Sequence, residues 1–417
     1  MLIACLALHA VARAQPLPLS SPAAEGFSEA RLKRLETVVQ SITDSGDYLG
    51  AVTLVARNGK ILDWRSYGHR DLAKKSPIAQ DSIFRIYSMT KTIATVAVLM
   101  LMEEGKLTLE DPVGKFLPAF NDMKVFAGGT ASAPQLRPAV RPITIRHLLT
   151  HTGGFATSGK KGDEAVKLFN RFDLHQSRSL KEYSDYVSRQ PLSIDPGMRF
   201  NYDGVSLEVL SHLVEVVSGM PFDVFLQQRI LTPLDMRDTS FSVPTEKRRR
   251  IADMVTTNVE GGLEIASPAH AKNPGVMLNP YPSGAGGLYS TAGDYVRFCQ
   301  MLLNGGSLDG VSILGRKTVE LMMMNHLTHL DPPVNQYSKF EGFGLGGYVV
   351  VDVAGRGRLG SVGQFGWSGA GSTYYTIDRQ ESLIAMLLMQ HLPQGLPKDP
   401  PKISTKFYNF VYQSLVN

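Results

Sequence analysis

The chain has 417 residues, of which 43% are hydrophobic and 19% are charged, an ordinary globular composition with enough apolar residues for a large core. The formal net charge is +5, but the lysines and arginines are spread along the chain, which argues against a nucleic-acid-binding stripe. The densest basic run, Lys247 to Arg250, is typical of a solvated surface turn.

The N-terminus resembles a secretory signal peptide. Leu2 to Ala12 is apolar and is followed by an Ala-x-Ala pattern, so we expect residues 1–14 to be removed after Ala14 and the protein to be secreted or periplasmic. Cys5 does not form a lipoprotein box, because four residues cannot hold a signal sequence. Cleavage would leave Cys299 as the single cysteine, inside an apolar helical pattern that predicts a buried thiol and no intramolecular disulfide.

The first predicted element of the mature chain is an amphipathic helix over Ser28–Ile42. Two strands follow, Ala51–Ala56 and Lys60–Ser66, and the Asn-Gly pair between them is a strong hairpin signal. An apolar helix then opens at Ser88 and ends at Gly105. Its apolar run is too short to span a bilayer, and no other segment is long and apolar enough, so no membrane span is expected.

From about Met123 the sequence changes character. Glycines and prolines predict a long irregular stretch, and strand signals are nearly absent from the helical segments after it. These segments are Ile145–Thr150, Glu164–Phe172, Lys181–Ser188, Leu207–Val217 and Phe222–Ile230. Near the C-terminus, strand-like segments return before a last amphipathic helix. They are Gly342–Asp352, Ser372–Asp378 and Leu383–Gln390, and the helix is Lys406–Leu415.

This order predicts one domain built from both ends of the chain. We expect an α/β domain from residues 18–122 and 280–417, with a mostly helical domain of residues 123–279 inserted between its halves. A ligand site would then lie in the cleft between the two domains.

Ser88 and Lys91 are the first candidate catalytic pair. A serine hydroxyl is a weak nucleophile at neutral pH and needs a base beside it, which a lysine can supply. Residues i and i+3 lie on the same face of a helix, so the hydroxyl and the amine can meet. The alternative is an ordinary helix N-cap at Ser88. A second Ser-x-x-Lys copy, Ser158 to Lys161, lies in a polar run without apolar periodicity and is predicted to be a loop.

Other residue patterns narrow the chemistry. The chain contains no Gly-x-Ser-x-Gly, which argues against the common α/β-hydrolase elbow. Tyr202 lies between a Pro-Gly turn and a predicted helix, a position from which a tyrosine can point into a cleft. His147 and His151 are four residues apart but have no accompanying carboxylate, so no metal site is expected.

Together these motifs resemble the serine β-lactamase-like superfamily, which includes class C β-lactamases, D,D-peptidases and family VIII carboxylesterases. Ser88 and Lys91, then Tyr202 in a Pro-Gly-x-x-Phe-x-Tyr context, then Trp367-Ser368-Gly369 before a predicted strand, occur in the order of the three superfamily motifs. Residues 143–155 and 283–294 also look like superfamily signatures. The resemblance implies an α+β, β-lactamase-like fold, with an antiparallel sheet flanked by helices and a mostly helical second domain inserted.

Two departures favour esters over lactams. The second motif is usually Tyr-x-Asn, whereas this chain has Asp203 and Gly204 after Tyr202. The third motif of lactamases begins with lysine or histidine, whereas this chain has Trp367, as family VIII esterases do. Both changes remove partners that a carboxylate-bearing amide substrate would use.

The resemblance also implies roles for the site residues. Ser88 would attack the carbonyl, Lys91 would accept the serine proton, and Tyr202 would serve the leaving group and the incoming water. The backbone N–H groups of Ser88 and Ala370 would form the oxyanion hole. The substrate-binding residues would be Trp367, Ser368, Gly369 and Asp203. No metal or organic cofactor would be needed.

The sequence therefore predicts a serine carboxylesterase that acts on small, short-chain esters, with weak β-lactam hydrolysis as a side activity. The expected partner is a small-molecule ester, not nucleic acid. The alternatives are a β-lactamase, a D,D-peptidase or other amide hydrolase, acyl transfer to an alcohol other than water, and a non-catalytic penicillin-recognising binding protein. The sequence gives neither the natural substrate nor the oligomeric state.

Overall fold

The structure is a computed structural model that describes residues 16–159, 162–330 and 336–416. The predicted signal peptide and Cys5 lie outside the described residues. Cys299 is buried, as predicted, and burial raises the pKa of its thiol.

The centre of the fold is a seven-stranded antiparallel sheet. Other strands pair in small two-stranded sheets outside it. In chain order, all the strands of the described residues are β1 Gly50–Arg57, β2 Lys60–Gly68, β3 Phe84–Arg85, β4 Lys124–Thr130, β5 Ala133–Pro138, β6 Val255–Thr257, β7 Leu263–Ile265, β8 Tyr289–Ser290, β9 Ser307–Leu308, β10 Val311–Ser312, β11 Glu341–Phe343, β12 Tyr348–Val350, β13 Phe365–Gly369, β14 Thr373–Asp378 and β15 Leu383–Leu388. The order in the large sheet is β11-β12-β13-β14-β15-β1-β2. The N-terminal β1 pairs with the C-terminal β15, with Val52 opposite Leu388, so both ends of the chain build one sheet.

Helices cover both faces of this sheet. In chain order, the α-helices of the described residues, not all of which touch the sheet, are α1 Glu29–Asp44, α2 Thr90–Glu103, α3 Ile145–Leu149, α4 Glu164–Phe169, α5 Leu180–Val187, α6 Val205–Ser218, α7 Phe222–Leu226, α8 Ala269–Lys272, α9 Ala292–Leu303, α10 Arg316–Met322, α11 Val353–Arg356 and α12 Ser404–Tyr412. The helices α1 and α12 pack on one face, where Leu35 and Phe407 meet Val55 and Leu387 in a common cluster. The opposite face contributes to the main core together with α2 and α9.

Burial explains the composition of α2. Twelve of its fourteen residues are buried, from Thr90 to Leu101, and a helix surrounded by protein needs apolar residues on every side. The fold is the predicted α+β arrangement of an antiparallel sheet flanked by helices.

The prediction of an irregular stretch after Met123 is wrong. Strands β4 and β5 form an antiparallel hairpin there, with Gly129 opposite Pro134 and Lys124 opposite Pro138. Proline cannot donate to a ladder, but a two-stranded hairpin has free edges where that donor is not needed. Gly129, at φ +82°, supplies the backbone conformation required next to the turn. A second short hairpin, β6–β7, also lies in the region predicted to be mostly helical.

The sheet departs from the prediction at two other places. The strand expected over Gly342–Asp352 is split into β11 and β12, because Gly346 at φ +82° turns the chain back within it. The Trp367-Ser368-Gly369 motif precedes the strand β14, as predicted, but it also forms part of a strand of its own, β13, which was not predicted. Neither feature is evident from the sequence, because a buried turn and a buried strand can have similar residue compositions.

The basic run is largely occupied by internal contacts. Residues Thr245–Arg250 form a 3-10 helix. Lys247 and Arg250 both pair with Asp238, at 2.9 and 2.7 Å, and the Arg248 side chain donates to the Val243 carbonyl. Most of this positive charge is therefore used to hold the turn.

The described residues contain no single helix of sufficient length and apolarity to cross a membrane. The segments Val205–Ser218 and Phe222–Leu231 meet these requirements only as a pair, with a 79° bend between them.

Candidate active site

Ser88 and Lys91 lie where a short turn leads into α2. Ser88 is in the 3-10 turn Tyr87–Met89, and Lys91 is in the first turn of the helix. The Lys91 Nζ donates to the Ser88 Oγ at 3.1 Å, and the lysine side chain is buried. The i, i+3 spacing therefore brings hydroxyl and amine into direct contact.

Lys91 is also held by a group from a distant part of the sequence. Its Nζ donates to the backbone carbonyl of Ala285 at 2.6 Å. The same nitrogen lies 5.0 Å from the centre of the Tyr202 ring, within the range of a cation–π contact. Lys91 thus connects the first and second motifs of the sequence.

The residue before Ser88 has an unusual backbone. Tyr87 is in the left-handed region at φ +42°, which costs a non-glycine residue roughly 1–3 kcal/mol unless its surroundings enforce it. Its ring is buried, and its hydroxyl is hydrogen-bonded to the His270 Nε2 at 2.7 Å. This packing fixes the peptide that leads into Ser88. Nothing in the sequence indicates the strain, because tyrosine has no preference for this region.

Tyr202 lies just before α6 and is surrounded by aromatic side chains. Its Oη accepts a hydrogen bond from the Trp367 Nε1 at 3.1 Å, and the two ring centres are 5.0 Å apart. Its backbone N–H donates to the Gln336 Oε1 at 2.6 Å, and the Tyr337 ring lies 5.8 Å away. The structure therefore brings Tyr202 and Trp367 together.

His151 packs behind Tyr202, a role that its position in the sequence does not indicate. It is fully buried at φ +54°, and its ring centre lies 4.7 Å from that of Tyr202. Its Nδ1 accepts from the Asp203 N–H at 3.4 Å and lies 3.6 Å from the Asp203 Oδ2. Burial lowers the pKa of His151, against the opposing effect of Asp203, so its ring supports Tyr202 as a neutral group.

Asp203 itself is occupied at the start of α6. Its carboxylate accepts from the Ser206 N–H at 2.6 Å and from the Ser206 hydroxyl at 3.1 Å. These bonds satisfy donors at the helix N-terminus.

The strand that carries the third motif packs against the segment that leads into Ser88. A Cβ on Gly369 would lie 2.3 Å from the Ile86 carbonyl oxygen, so only glycine allows this approach. Ala370 follows in an exposed turn, and Ser368 is half-buried. The end of β13 is thereby held against Ile86, which lies two residues before Ser88 in the sequence.

A cavity of about 420 Å³ opens beside these groups. It is lined by Tyr87, Ser88, Lys91, Thr157, Ser158, His175, Tyr183, Tyr202, Asp203, Gly204, Glu208, Leu278, Asn279, Ser283, Ala285 and Gly286. Of the predicted substrate-binding residues, Asp203 contributes to this lining, whereas Trp367, Ser368 and Gly369 lie outside it.

The second Ser-x-x-Lys copy is in different surroundings. The Ser158 hydroxyl donates to the Asn201 Oδ1 at 2.5 Å, and Lys161 lies outside the described residues. Across the described ranges, no group of three or more histidine, cysteine, aspartate or glutamate side chains is arranged to hold a metal ion.

Comparison with known proteins matches this geometry to one family. A family profile described as "Beta-lactamase" matches residues 35–404. Protein Rv1367c of Mycobacterium tuberculosis is 33% identical over 367 residues, covering 85% of this chain and 89% of its own length. Esterase EstB of Burkholderia gladioli is 28% identical over 384 residues, covering 87% and 91%.

A solved structure shows the same fold. The protein described as "EstCE1, a hydrolase with promiscuous acyltransferase activity" superimposes with a TM-score of 0.77 at 24% identity. The alignment covers 94% of this chain and all of that one.

Proposed function

This chain belongs to the Beta-lactamase family, and we propose that it is a serine carboxylesterase that cleaves small, short-chain esters through an acyl-enzyme on Ser88. The family and its relatives make it a serine hydrolase or acyltransferase of β-lactamase-like fold. The ester assignment, the mechanism and the residue roles below are our proposal.

One observation carries the proposal, the 3.1 Å contact between the Lys91 Nζ and the Ser88 Oγ inside a cavity. In its neutral form the amine accepts the hydroxyl proton as Ser88 Oγ attacks the ester carbonyl carbon. The Ala285 carbonyl holds the amine in place throughout, because it accepts one of the amine N–H groups, whereas the reaction uses the nitrogen lone pair. The product of this step is a tetrahedral adduct on Ser88.

Tyr202 is the second proton-transfer group. An indole N–H can only donate, so Trp367 occupies a lone pair of the Tyr202 oxygen and leaves the phenol proton available. Tyr202 donates that proton to the leaving alcohol, and the phenolate, stabilised by the same indole N–H, then deprotonates the water that attacks the acyl-enzyme. As the bond between the acyl carbon and the Ser88 Oγ breaks, Lys91 returns its proton to that oxygen, so the ester is split into an acid and an alcohol and the enzyme is regenerated.

The backbone N–H groups of Ser88 and Ala370 stabilise the oxyanion in this mechanism. Support comes from the left-handed backbone of Tyr87, which fixes the peptide before Ser88, and from the close approach of Gly369 to Ile86. Both features join the two donor segments rigidly, and a preorganised donor is worth a few kcal/mol to the transition state.

Esters are favoured over lactams by the charge of the cavity. Lys91 is the only lysine or arginine among its described lining residues, and it faces Ser88 and Ala285. A penicillin or peptide carboxylate would therefore lack a free cationic partner there. Gly204 stands where lactamases place an asparagine, and Trp367 where they place a cation, so an amide substrate loses two further contacts.

Turnover of p-nitrophenyl esters of increasing chain length, compared with a chromogenic cephalosporin, tests the proposal. We expect short acyl chains to give the highest kcat/KM, and the cephalosporin to be a poor substrate. Ser88→Ala should lower kcat at least about a thousandfold. The control is Ser45→Ala, at an exposed serine that does not line the cavity, and it should keep kcat within a few-fold of wild type.

Two results would contradict the assignment. Comparable efficiency on the cephalosporin would make the protein a lactamase, and turnover by Ser88→Ala would remove Ser88 as the nucleophile. Added methanol gives a further readout, since methyl ester formation measures how readily the acyl-enzyme transfers to an alcohol rather than to water.

A further inference from the structure

Glu208 is a buried carboxyl group that the mechanism above does not use. It lies on α6, is 1% exposed, and lines the same cavity as Ser88. Its Oε1 accepts from the Ser283 hydroxyl, and its Oε2 accepts from the Gly284 N–H at 3.1 Å. We propose that Glu208 is a positioning residue, which holds the turn of residues 283–285 so that the Ala285 carbonyl keeps Lys91 against Ser88. This inference rests on the proposed function, because it assigns Glu208 a part in activating the same nucleophile.

The contacts run in one continuous series from α6 to the nucleophile. Glu208 binds the first two residues of the turn, the carbonyl of the third accepts from Lys91 at 2.6 Å, and Lys91 reaches Ser88 at 3.1 Å. The turn is closed on itself by the Gly287 N–H, which donates to the Ser283 carbonyl at 2.8 Å.

The turn also sits directly on α6. A Cβ on Gly284 would lie 2.0 Å from the Ser211 hydroxyl oxygen, one helical turn beyond Glu208 on the same face. Glu208 therefore fixes the turn by hydrogen bonds at a point where helix and turn are already in contact. Loss of these bonds would let the Ala285 carbonyl shift relative to Lys91.

The carboxylate suits this task because both of its oxygens accept. A hydroxyl such as that of Ser283 can donate or accept, whereas the Gly284 N–H can only donate. Glutamine could still satisfy both partners, with its Oε1 toward Gly284 and its amide N–H groups toward Ser283. It would not, however, carry a negative charge near Lys91.

The charged and titratable groups that face Glu208 come from three elements. They are Lys91 on α2, Tyr183 on α5, and Tyr281 in the segment before the turn. Burial raises the pKa of Glu208 from 4.5 to about 7, against the bond from Ser283 and the charge of Lys91. The carboxyl thus changes its protonation state in the range where ester hydrolysis is measured. Protonation removes the negative charge near Lys91, although the neutral carboxyl, like a glutamine amide, can still accept from the Gly284 N–H and donate to the Ser283 hydroxyl.

Asp294 provides a matched control. It is also buried, and it accepts a hydroxyl and a backbone N–H, from Thr239 at 2.8 Å and from Asp238 at 2.7 Å. Burial raises the pKa of Asp294 to about 6. Its partners do not contact Lys91 or Ser88, so its removal should affect folding without affecting the nucleophile.

The test measures how fast an organophosphonate labels Ser88, together with kcat and KM on a short ester. We expect Glu208→Ala to lower both the labelling rate and kcat about 10- to 100-fold, since a displacement of about 1 Å in a catalytic group has effects of this size. KM should change less than about threefold, because the substrate contacts remain. Asp294→Ala should keep both rates within about threefold of wild type, measured below its melting temperature.

A second variant covers the case in which Glu208→Ala does not fold. Glu208→Gln preserves side-chain volume, and it should shift the acid limb of the kcat/KM profile, because the group that titrates near pH 7 is gone. Asp294→Asn should leave that limb in its wild-type position. If Glu208 had a purely structural role, Glu208→Ala and Glu208→Gln would change stability, but Glu208→Gln would not move the acid limb of the kcat/KM profile.

The outcomes separate this inference from the proposed function. If wild type is labelled at Ser88, and either Glu208→Ala reacts at the wild-type rate or Glu208→Gln leaves the pH profile unchanged, the positioning role is wrong and the esterase proposal stands. If the phosphonate does not modify Ser88 in wild type, the proposed function itself is wrong.

Discussion

Lys91 and Tyr202, which line the same cavity as Ser88, are held by different kinds of contact. Lys91 is bound by a backbone carbonyl at 2.6 Å and by a neighbour in its own helical turn. Tyr202 is packed among the rings of Trp367, Tyr337 and His151, and its oxygen receives one hydrogen bond. On the lysine side of the site, which is Lys91 and the groups that bind it, the contacts are hydrogen bonds that depend on direction. On the tyrosine side, which is Tyr202 and the rings around it, the contacts are mainly aromatic.

The difference indicates how each side would respond to mutation. A hydrogen bond to a charged group contributes about 1.5–3 kcal/mol and depends steeply on geometry. An aromatic pair contributes about 0.5–1.5 kcal/mol beyond burial, and one ring can often replace another. We therefore expect changes on the lysine side to be severe, and changes around Tyr202 to be graded.

Lys91→Met should give the largest effect among the following variants. Methionine fills a similar volume but has no amine, so kcat on a short ester should fall at least about a thousandfold. The melting temperature should hold or rise, since the buried amine is replaced by an apolar group. Steady-state kinetics and thermal unfolding check both expectations, with the exposed Lys106→Met as control. A variant that kept a tenth of wild-type kcat would show that the amine is not the base. The lysine side of the site would then be no more sensitive to mutation than the tyrosine side.

Trp367→Phe should have a smaller effect on the aromatic side. Phenylalanine keeps a ring beside Tyr202 but removes the indole N–H that donates to its oxygen, so kcat should fall about tenfold, the order expected for loss of one hydrogen bond to a developing charge. The chain offers one matched control, since Trp64 is its only other tryptophan. The Trp64 Nε1 is buried without a hydrogen-bond partner among the described residues, so Trp64→Phe should leave kcat unchanged. Equal losses in the two variants would mean that the Trp367 bond to Tyr202 has no catalytic role.

The same contrast explains what the sequence could predict about the site. The Ser88–Lys91 contact depends on a local helical spacing, which is visible in the sequence. The importance of Tyr202 and Trp367 came only from their order in a familiar set of motifs, because with fifteen tyrosines in the chain nothing local distinguishes one of them. The Ala285 carbonyl could not be predicted, since a backbone group leaves no signature in residue identity.

Long-range contacts also account for the residues that were missed. Glu208 reads as an ordinary polar position of a helix, and only its approach to Ser283 shows that it is buried. Similarly, Gly129 and Pro134 predict an irregular stretch when read singly, whereas pairing across the hairpin makes them compatible with strands. The hairpin of β1 and β2 was predicted from its Asn-Gly turn, whereas for the two ends of the chain the sequence predicted a shared domain but not the pairing of β15 with β1.

The last prediction concerns stability rather than turnover, and it compares Glu208, the carboxyl on the lysine side, with the remote Asp294. The pKa of Glu208 is raised from 4.5 to about 7, and that of Asp294 from 3.8 to about 6. An acid whose pKa is higher in the folded state binds its proton more tightly there, so its stabilising contribution is full below the unfolded pKa. That contribution is lost as pH rises through about 6 for Asp294 and about 7 for Glu208. Each shift corresponds to roughly 3 kcal/mol.

The dependence of unfolding free energy on pH should therefore be flattened by Asp294→Asn between 3.8 and about 6, and by Glu208→Gln between 4.5 and about 7. Each should be more stable relative to wild type at pH 8 than at pH 5, because the charged form that burial disfavours can no longer arise. Denaturant titration at several pH values measures this. Activity should separate the two variants, since only Glu208 is linked through the 283–285 turn to Lys91. If both variants flattened the stability curve and Glu208→Gln left the acid limb of the kcat/KM profile in its wild-type position, the Glu208 carboxylate would have no part in positioning Lys91.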